Sequence, residues 1–173
     1  MQVSVNRKDL KFLPDSSRVI ARFLYTGDER ALSIIRSVLN MSDKKTSTAL
    51  KQVLRDYSMR HRNISKIFEK HFNNITHLFA KLNVDPELLV LSQKLLIGSY
   101  FTMEYSIESS AIFNPSIVEH PDQSETGTDE KRVIISFRAT GEGHISSIVF
   151  RMGILDRDNN LSTRPVGKML EEV

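Results

Sequence analysis

The chain has no cysteine and no tryptophan in its 173 residues. Without a thiol there is no disulfide framework, no thiolate nucleophile and no Cys-based metal site. A reducing, cytoplasmic setting is the simplest fit. Long apolar runs are missing too. The most apolar stretch, 95–113, is interrupted by Gly98, Ser99, Thr102, Glu104, Ser106, Glu108, Ser109 and Ser110. A membrane span needs roughly 18 uninterrupted apolar residues, so no membrane partner is expected. The opening Met1-Gln2-Val3-Ser4-Val5-Asn6-Arg7 lacks the apolar core of a secretory signal. There is no HExxH, no Walker loop and no Gly-x-Ser-x-Gly. His71 and His77 face different sides of a helix, so no metal site is expected, and no bound cofactor.

What remains is an ordinary globular composition, 40% hydrophobic and 26% charged. The net charge of +3 conceals an asymmetry. Residues 1–98 hold 17 Lys and Arg against 9 Asp and Glu, and 99–173 hold 7 against 12. A basic front and an acidic back can attract each other or dock copies of the chain. The densest basic cluster, Arg55, Arg60, Arg62 and Lys66, is diluted by Asp56 and Glu69 and accompanies no recognised binding module. A solvated helical face accounts for it, and no nucleic-acid partner is expected.

The front half reads as helix. Residues 2–6 alternate as a short strand or arm, Pro14-Asp15-Ser16-Ser17 marks a turn, and Arg18 to Tyr25 reads as extended. Thr26-Gly27-Asp28-Glu29 fits a capping box. The helix after it carries Leu32, Ile35, Val38 and Leu39 on one face. Ser42 caps a second, with Leu50, Val53, Leu54 and Tyr57 inward, and Asn63 a third, whose apolar stripe runs from Ile64 to Leu82. His71 lies in that stripe as a packed imidazole. Asp85-Pro86-Glu87 is a further start signal. A last helix is predicted over 92–110, with Leu96, Tyr100, Met103, Ile107 and Ala111 as its stripe. Gly98 and Ser99 allow close approach of another backbone. It is expected to take helices on one flank and a sheet on the other.

The back half reads as antiparallel strand. Pro115 ends the helix and should hold Asn114 extended at a strand mouth. A polar loop follows from His120 to Glu130. Val133, Ile135, Phe137 and Ala139 alternate with Ile134, Ser136, Arg138 and Thr140. Gly141-Glu142-Gly143 turns the chain into a partner strand, 145–155, and Asp156 to Asn160 turns it again toward a short strand near Leu161. A meander this small cannot bury both faces, so one must be covered by more sheet from another copy or from further sequence. The fold class is therefore α+β, divided into a helical extension, 1–91, and a linking helix plus strands, 92–173.

Asn114 and Arg138 are the candidate binding pair. Arg138 is a lone charge in an apolar strand, and an Asn and an Arg at neighbouring strand mouths can hold sugar hydroxyls by directed hydrogen bonds. The plainer account pairs Arg138 with Glu142 or Glu104. Glu104 and Glu108, four apart, would share a helix face, as an acid/base pair or as two solvated charges. Gly141-Glu142-Gly143 is a hairpin turn, not a dinucleotide fingerprint. His144 just beyond it is an unspecific candidate.

The segments Leu95-Leu96-Ile97-Gly98-Ser99-Tyr100-Phe101-Thr102-Met103-Glu104-Tyr105-Ser106-Ile107-Glu108, Phe113-Asn114-Pro115-Ser116-Ile117-Val118 and Ser136-Phe137-Arg138-Ala139-Thr140-Gly141-Glu142-Gly143-His144-Ile145-Ser146-Ser147 resemble long-form members of glycoside hydrolase family 130. These are the β-mannoside phosphorylases and β-mannosidases. The resemblance extends to Pro14-Asp15-Ser16-Ser17-Arg18-Val19-Ile20 and Ser58-Met59-Arg60-His61-Arg62-Asn63. It implies a helical N-terminal extension followed by the opening blade of a five-bladed β-propeller. It implies that Asn114 and Arg138 bind sugar in the −1 subsite, with Ser116 and His144 on the same rim and Glu104 and Glu108 as supporting residues.

The family's catalytic Asp lies in an acidic-Asp-Pro-Arg type segment, and nothing after Arg151 resembles it. Asp156 and Asp158 sit in a turn of different wording. No catalytic residue is therefore assigned. The expectation is the N-terminal portion of an enzyme acting on β-mannoside oligosaccharides, a truncated product, fragment or remnant, inactive alone. Inorganic phosphate would be co-substrate if the parent is a phosphorylase, and phosphorolysis and hydrolysis stay open. The alternative is a non-catalytic helical interaction or oligomerisation module.

Overall fold

The computed structural model describes residues 7–167, 169 and 170. The alternating segment expected at 2–6 lies outside the described residues. The fold is mixed α+β with two antiparallel sheets. The chain divides into two compact units, a helical unit over 19–105 and a strand unit formed by the arm up to Arg18 with 106–167. The predicted division at 91/92 falls inside the helical unit, at the start of its last helix.

The helical unit opens with β1 (Val19–Phe23), in the segment read as extended. Then follow α1 (Asp28–Leu39), α2 (Asp43–Ser58) and α3 (Ile64–Asn73). α2 and α3 start where the capping signals put them and α1 one residue later, all without the side-chain caps expected. The residue before α1 is Gly27 at φ 93°, not Thr26, and neither Ser42 nor Asn63 caps through its side chain. Asn63 stands at φ 54°, in the left-handed region that Asn tolerates better than most residues. The third stripe is not one helix. After Asn74 the chain tightens into a 3-10 helix, Thr76–Leu82, so that Ile75, Leu78 and Phe79 still face the core. Asp85 caps the short turn Pro86–Leu88 by accepting from the Glu87 amide at 2.9 Å.

The last helix, α4 (Leu91–Tyr100), is half the predicted length. Its continuation is β2 (Thr102–Ser106), paired with β1. The 92–110 reading is thus corrected. Met103 and Ile107 fit a helical stripe, but the Thr102-to-Ser106 stretch satisfies its backbone on a strand some 80 positions earlier in the chain. The expected close approach at Gly98 is real. A methyl group there would overlap the Phe68 carbonyl oxygen and come within 2.7 Å of its carbon, so α3 and α4 touch backbone to backbone. Around this contact Ile35, Val38, Phe68, Phe72, Leu78, Phe79, Leu96 and Ile97 form a single apolar core.

The strand unit is a meander in the order β3-β4-β5-β6: β3 (Ala111–Glu119), β4 (Lys131–Thr140), β5 (Ser146–Leu155) and β6 (Leu161–Thr163). The period of two sorts β4 as the sequence suggested. Val133, Ile135, Phe137 and Ala139 are buried together with Val149 on β5. Phe12 of the arm meets Phe137 with ring centroids 4.8 Å apart. The opposite face leaves Val118, Ile148 and Phe150 more than half exposed. The polar loop is tied down by Arg132, whose guanidinium donates to the Asp122 and Ser124 carbonyls, while Gln123 brackets the Arg132 backbone. At the far turn Asp156 accepts from the amides of Asp158 and Asn160. No helix of the described residues is long and apolar enough to cross a membrane.

Candidate functional site

Register decides which polar side chains meet on the open face of the sheet. Phe113 pairs across the ladder with Arg138, and Arg138 with Ile148. Ser116 lies opposite Ser136, and Thr140 opposite Ser146. Between Phe113 and Ser116 the register slips, and at that bulge Asn114 takes φ 51°. This corrects the expectation of an extended Asn114. Pro115 does exclude the helix, but the bulge carries its neighbour into the left-handed region, uncommon for a non-glycine residue.

The bulge opens a hollow of about 370 Å3 beside β4 and β5. Asn114, Ser136, Arg138, Ser146, Ser147 and Ile148 line it. The structure thus gathers Asn114 and Arg138 at one site. Ser116 is exposed on the adjoining stretch of β3, and His144 closes the short 3-10 turn Glu142–His144, its side chain outside the described residues. Sequence reasoning missed the three serines. Two of them carried a signal: Ser136 and Ser146 occupy the same alternation phase as Arg138 on paired strands, whereas Ser147, opposite Ala139, is in the other phase. The Arg138 Nε donates to Ser146 Oγ at 3.1 Å, and its guanidinium carbon lies 5.5 Å from the Phe113 ring centroid, within cation–π range. Hydroxyls, an amide and a guanidinium around an apolar floor suit directed bonding to a polyol.

Glu104 and Glu108 do not share a helix face, because no helix exists there. Glu104 lies on β2 in the helical unit. It accepts a two-pronged bond from Arg60, Nε at 2.7 Å and Nη2 at 3.1 Å, and lies 2.8 Å from His61 Nε2. Partial burial works to raise its pKa, but the bonds from Arg60 and His61 outweigh that and hold it below its ordinary value. Nearby, His71 Nδ1 lies 2.7 Å from Thr102 Oγ1, and that hydroxyl donates to the Gly98 carbonyl at 2.9 Å. Its one hydrogen being spent, Thr102 accepts from the imidazole, which assigns the Nδ1–H tautomer. Burial pushes the His71 pKa down, with the positive charge of Lys70 adding to it. His71 is the packed histidine anticipated.

Glu108 belongs to the strand unit and is fully buried. Its carboxylate accepts from Arg18 and from Arg151 Nη2, the latter at 2.6 Å, and more distantly from the Asp15 amide at 3.4 Å. Burial lowers the pKa of both guanidinium groups. Asp15 adds negative charge beside them, its own pKa lowered by hydrogen bonds from the Ser17 hydroxyl and amide. Arg18, Glu108 and Arg151 are buried and pair with one another, and Glu108 is not among the residues lining the hollow.

A larger hollow of about 520 Å3 follows the start of α1, lined by Thr26, Gly27, Asp28, Glu29, Arg30 and Ser33. Asp28 and Glu29 already fill the positive end of that helix, and Asp28 is bound to Tyr25 and Lys81, so it offers nothing to an anion. Among the described residues no cluster of His, Asp or Glu could hold a metal ion. Comparison with protein-family models, with curated proteins and with solved structures finds no match for this chain.

Proposed function

We propose that the hollow beside Asn114 and Arg138 is a β-mannoside-binding subsite. In this reading the four-stranded meander is the opening blade of a five-bladed propeller of the glycoside hydrolase family 130 kind. One observation carries it: two side chains 24 positions apart in sequence, singled out by the resemblance, line one hollow of monosaccharide scale. The polypeptide binds without turning over. An acid must protonate the departing glycosidic oxygen, and among the described residues that line the hollow there is no carboxylate. Inorganic phosphate would join only as co-substrate of a complete phosphorolytic enzyme, and the setting remains cytoplasmic.

The test is a titration followed by amide NMR. β-Mannobiose should shift signals around 114, 136–138 and 146–148 saturably, at millimolar concentration, and β-glucosides should not. Arg138→Lys should weaken the response about tenfold, because the planar fork is lost while the charge stays. Equal response to mannoside and glucoside, or none, overturns the reading. Incubation with β-mannobiose and phosphate should release no mannose 1-phosphate.

A second reading makes the helical unit an interaction module. Its support is a run of exposed apolar side chains, Leu88, Val90 and Leu91, the first 82% exposed. Light scattering of the chain and of Leu91→Glu decides it. A dimer that Leu91→Glu disperses favours the module, and a monomer in both removes it.

A further inference from the structure

We infer that Ser146 and Phe113 are positioning residues that hold the Arg138 guanidinium in one orientation at the rim of the hollow. The inference rests on the mannoside reading for its ligand but not for its geometry. An arginine loses considerable rotamer freedom when a ligand fixes it, and that loss is subtracted from affinity. Two contacts remove that freedom beforehand. Phe113, directly across the ladder, offers its ring face 5.5 Å from the guanidinium carbon. Ser146, two positions along β5 from the residue opposite Arg138, takes the Nε hydrogen at 3.1 Å. A planar guanidinium fixed through Nε and through one face retains its two terminal nitrogens for a partner.

Both contacts are products of register. Ser146 reaches Arg138 diagonally only because the turn at 142–144 sets Thr140 opposite it, and Phe113 faces Arg138 only because the bulge begins after it. Any slip of one residue would put serine and phenylalanine on the opposite face. The bulge therefore opens the hollow and seats the arginine at the same time.

The test reads the arginine itself. In 1H–15N spectra the Arg138 Nε–H signal, identified by its loss in Arg138→Lys, should exchange with water more slowly than that of exposed Arg157. Ser146→Ala should raise its exchange rate to the Arg157 level, and Ser146→Thr should restore protection. With β-mannobiose as probe, Ser146→Ala should weaken binding about five- to tenfold, the scale of one hydrogen bond. Ser146→Ala added to Arg138→Lys should cost nothing further. Identical Nε–H exchange in the parent chain and in Ser146→Ala overturns the inference, as does additivity in the cycle. If β-mannobiose binds no form of the chain, the mannoside reading falls, and Nε–H exchange alone decides the positioning role. Amide dispersion identifies any variant that has merely unfolded.

Discussion

Arg151 donates to Glu108 at 2.6 Å with neither side chain more than 5% exposed. Arg18 shares the same carboxylate, so one buried anion answers two buried cations. Removing the anion leaves both guanidinium groups out of water with nothing to neutralise them. Glu108→Gln should lower unfolding free energy by about 3–5 kcal/mol, read as a fall in the urea midpoint. Replacing all three together, Arg18→Met, Glu108→Leu and Arg151→Met, should recover most of that loss, because no charge is then stranded.

Gly98→Ala should be costly although alanine is the better helix former. The added methyl overlaps the Phe68 carbonyl oxygen, which belongs to the backbone of α3 and cannot rotate away. A penalty of about 1–3 kcal/mol is expected from overpacking, with the denaturant slope unchanged. Ser99→Ala, on the same helix, should cost about 1 kcal/mol, the net worth of its hydrogen bond to the Leu96 carbonyl.

Asn114 separates backbone from side-chain roles. At φ 51° glycine is at ease and alanine is not. Asn114→Gly should leave thermal stability near that of the parent chain, whereas Asn114→Ala should lose about 1–2 kcal/mol. Both should lose mannoside binding. Retained binding in the glycine variant would assign the residue to shaping the bulge alone.

Acid should loosen the helical unit in two stages. His71 has a depressed pKa when folded, so the unfolded chain takes up its proton first. Stability is full above the ordinary value of 6.5 and falls as pH drops below it. Glu104 is likewise depressed, but it is stabilising when ionised. Its contribution is present above its ordinary 4.5 and is lost as pH falls through the lower folded value. Urea midpoints between pH 7.5 and 3 should show both limbs. His71→Gln should flatten the upper one and Glu104→Gln the lower.

Much of this architecture was legible locally. Asp85 and Pro86 marked a start that the Asp85 carboxylate does cap, and the alternation from Val133 to Ala139 sorts into inside and outside as written. What failed was non-local. Thr102 to Ser106 pairs with β1, far off in sequence, and its chance helical spacing with Ile107 and Ala111 concealed the strand. Arg18, Glu108 and Arg151 lie 90 and 43 positions apart, beyond any local pattern. A hint existed nonetheless: Arg151 interrupts an apolar strand as Arg138 does, but in the buried phase of the alternation. Of the site, Asn114 and Arg138 could be named from their surroundings. Their seating by Phe113 and Ser146 follows from the ladder register, which the sequence does not print.

Pro115 stands in β3 at the edge of the four-stranded sheet, beside a slipped register. A proline offers no amide to an incoming strand, and the kink spoils the straight rail such a strand would follow. Addition of a strand along the β3 edge, one route toward fibrils, is therefore interrupted midway; the β6 edge carries no such break. What the sheet leaves for contact is its open face, where Val118, Ile148 and Phe150 are exposed and a partner can lie flat.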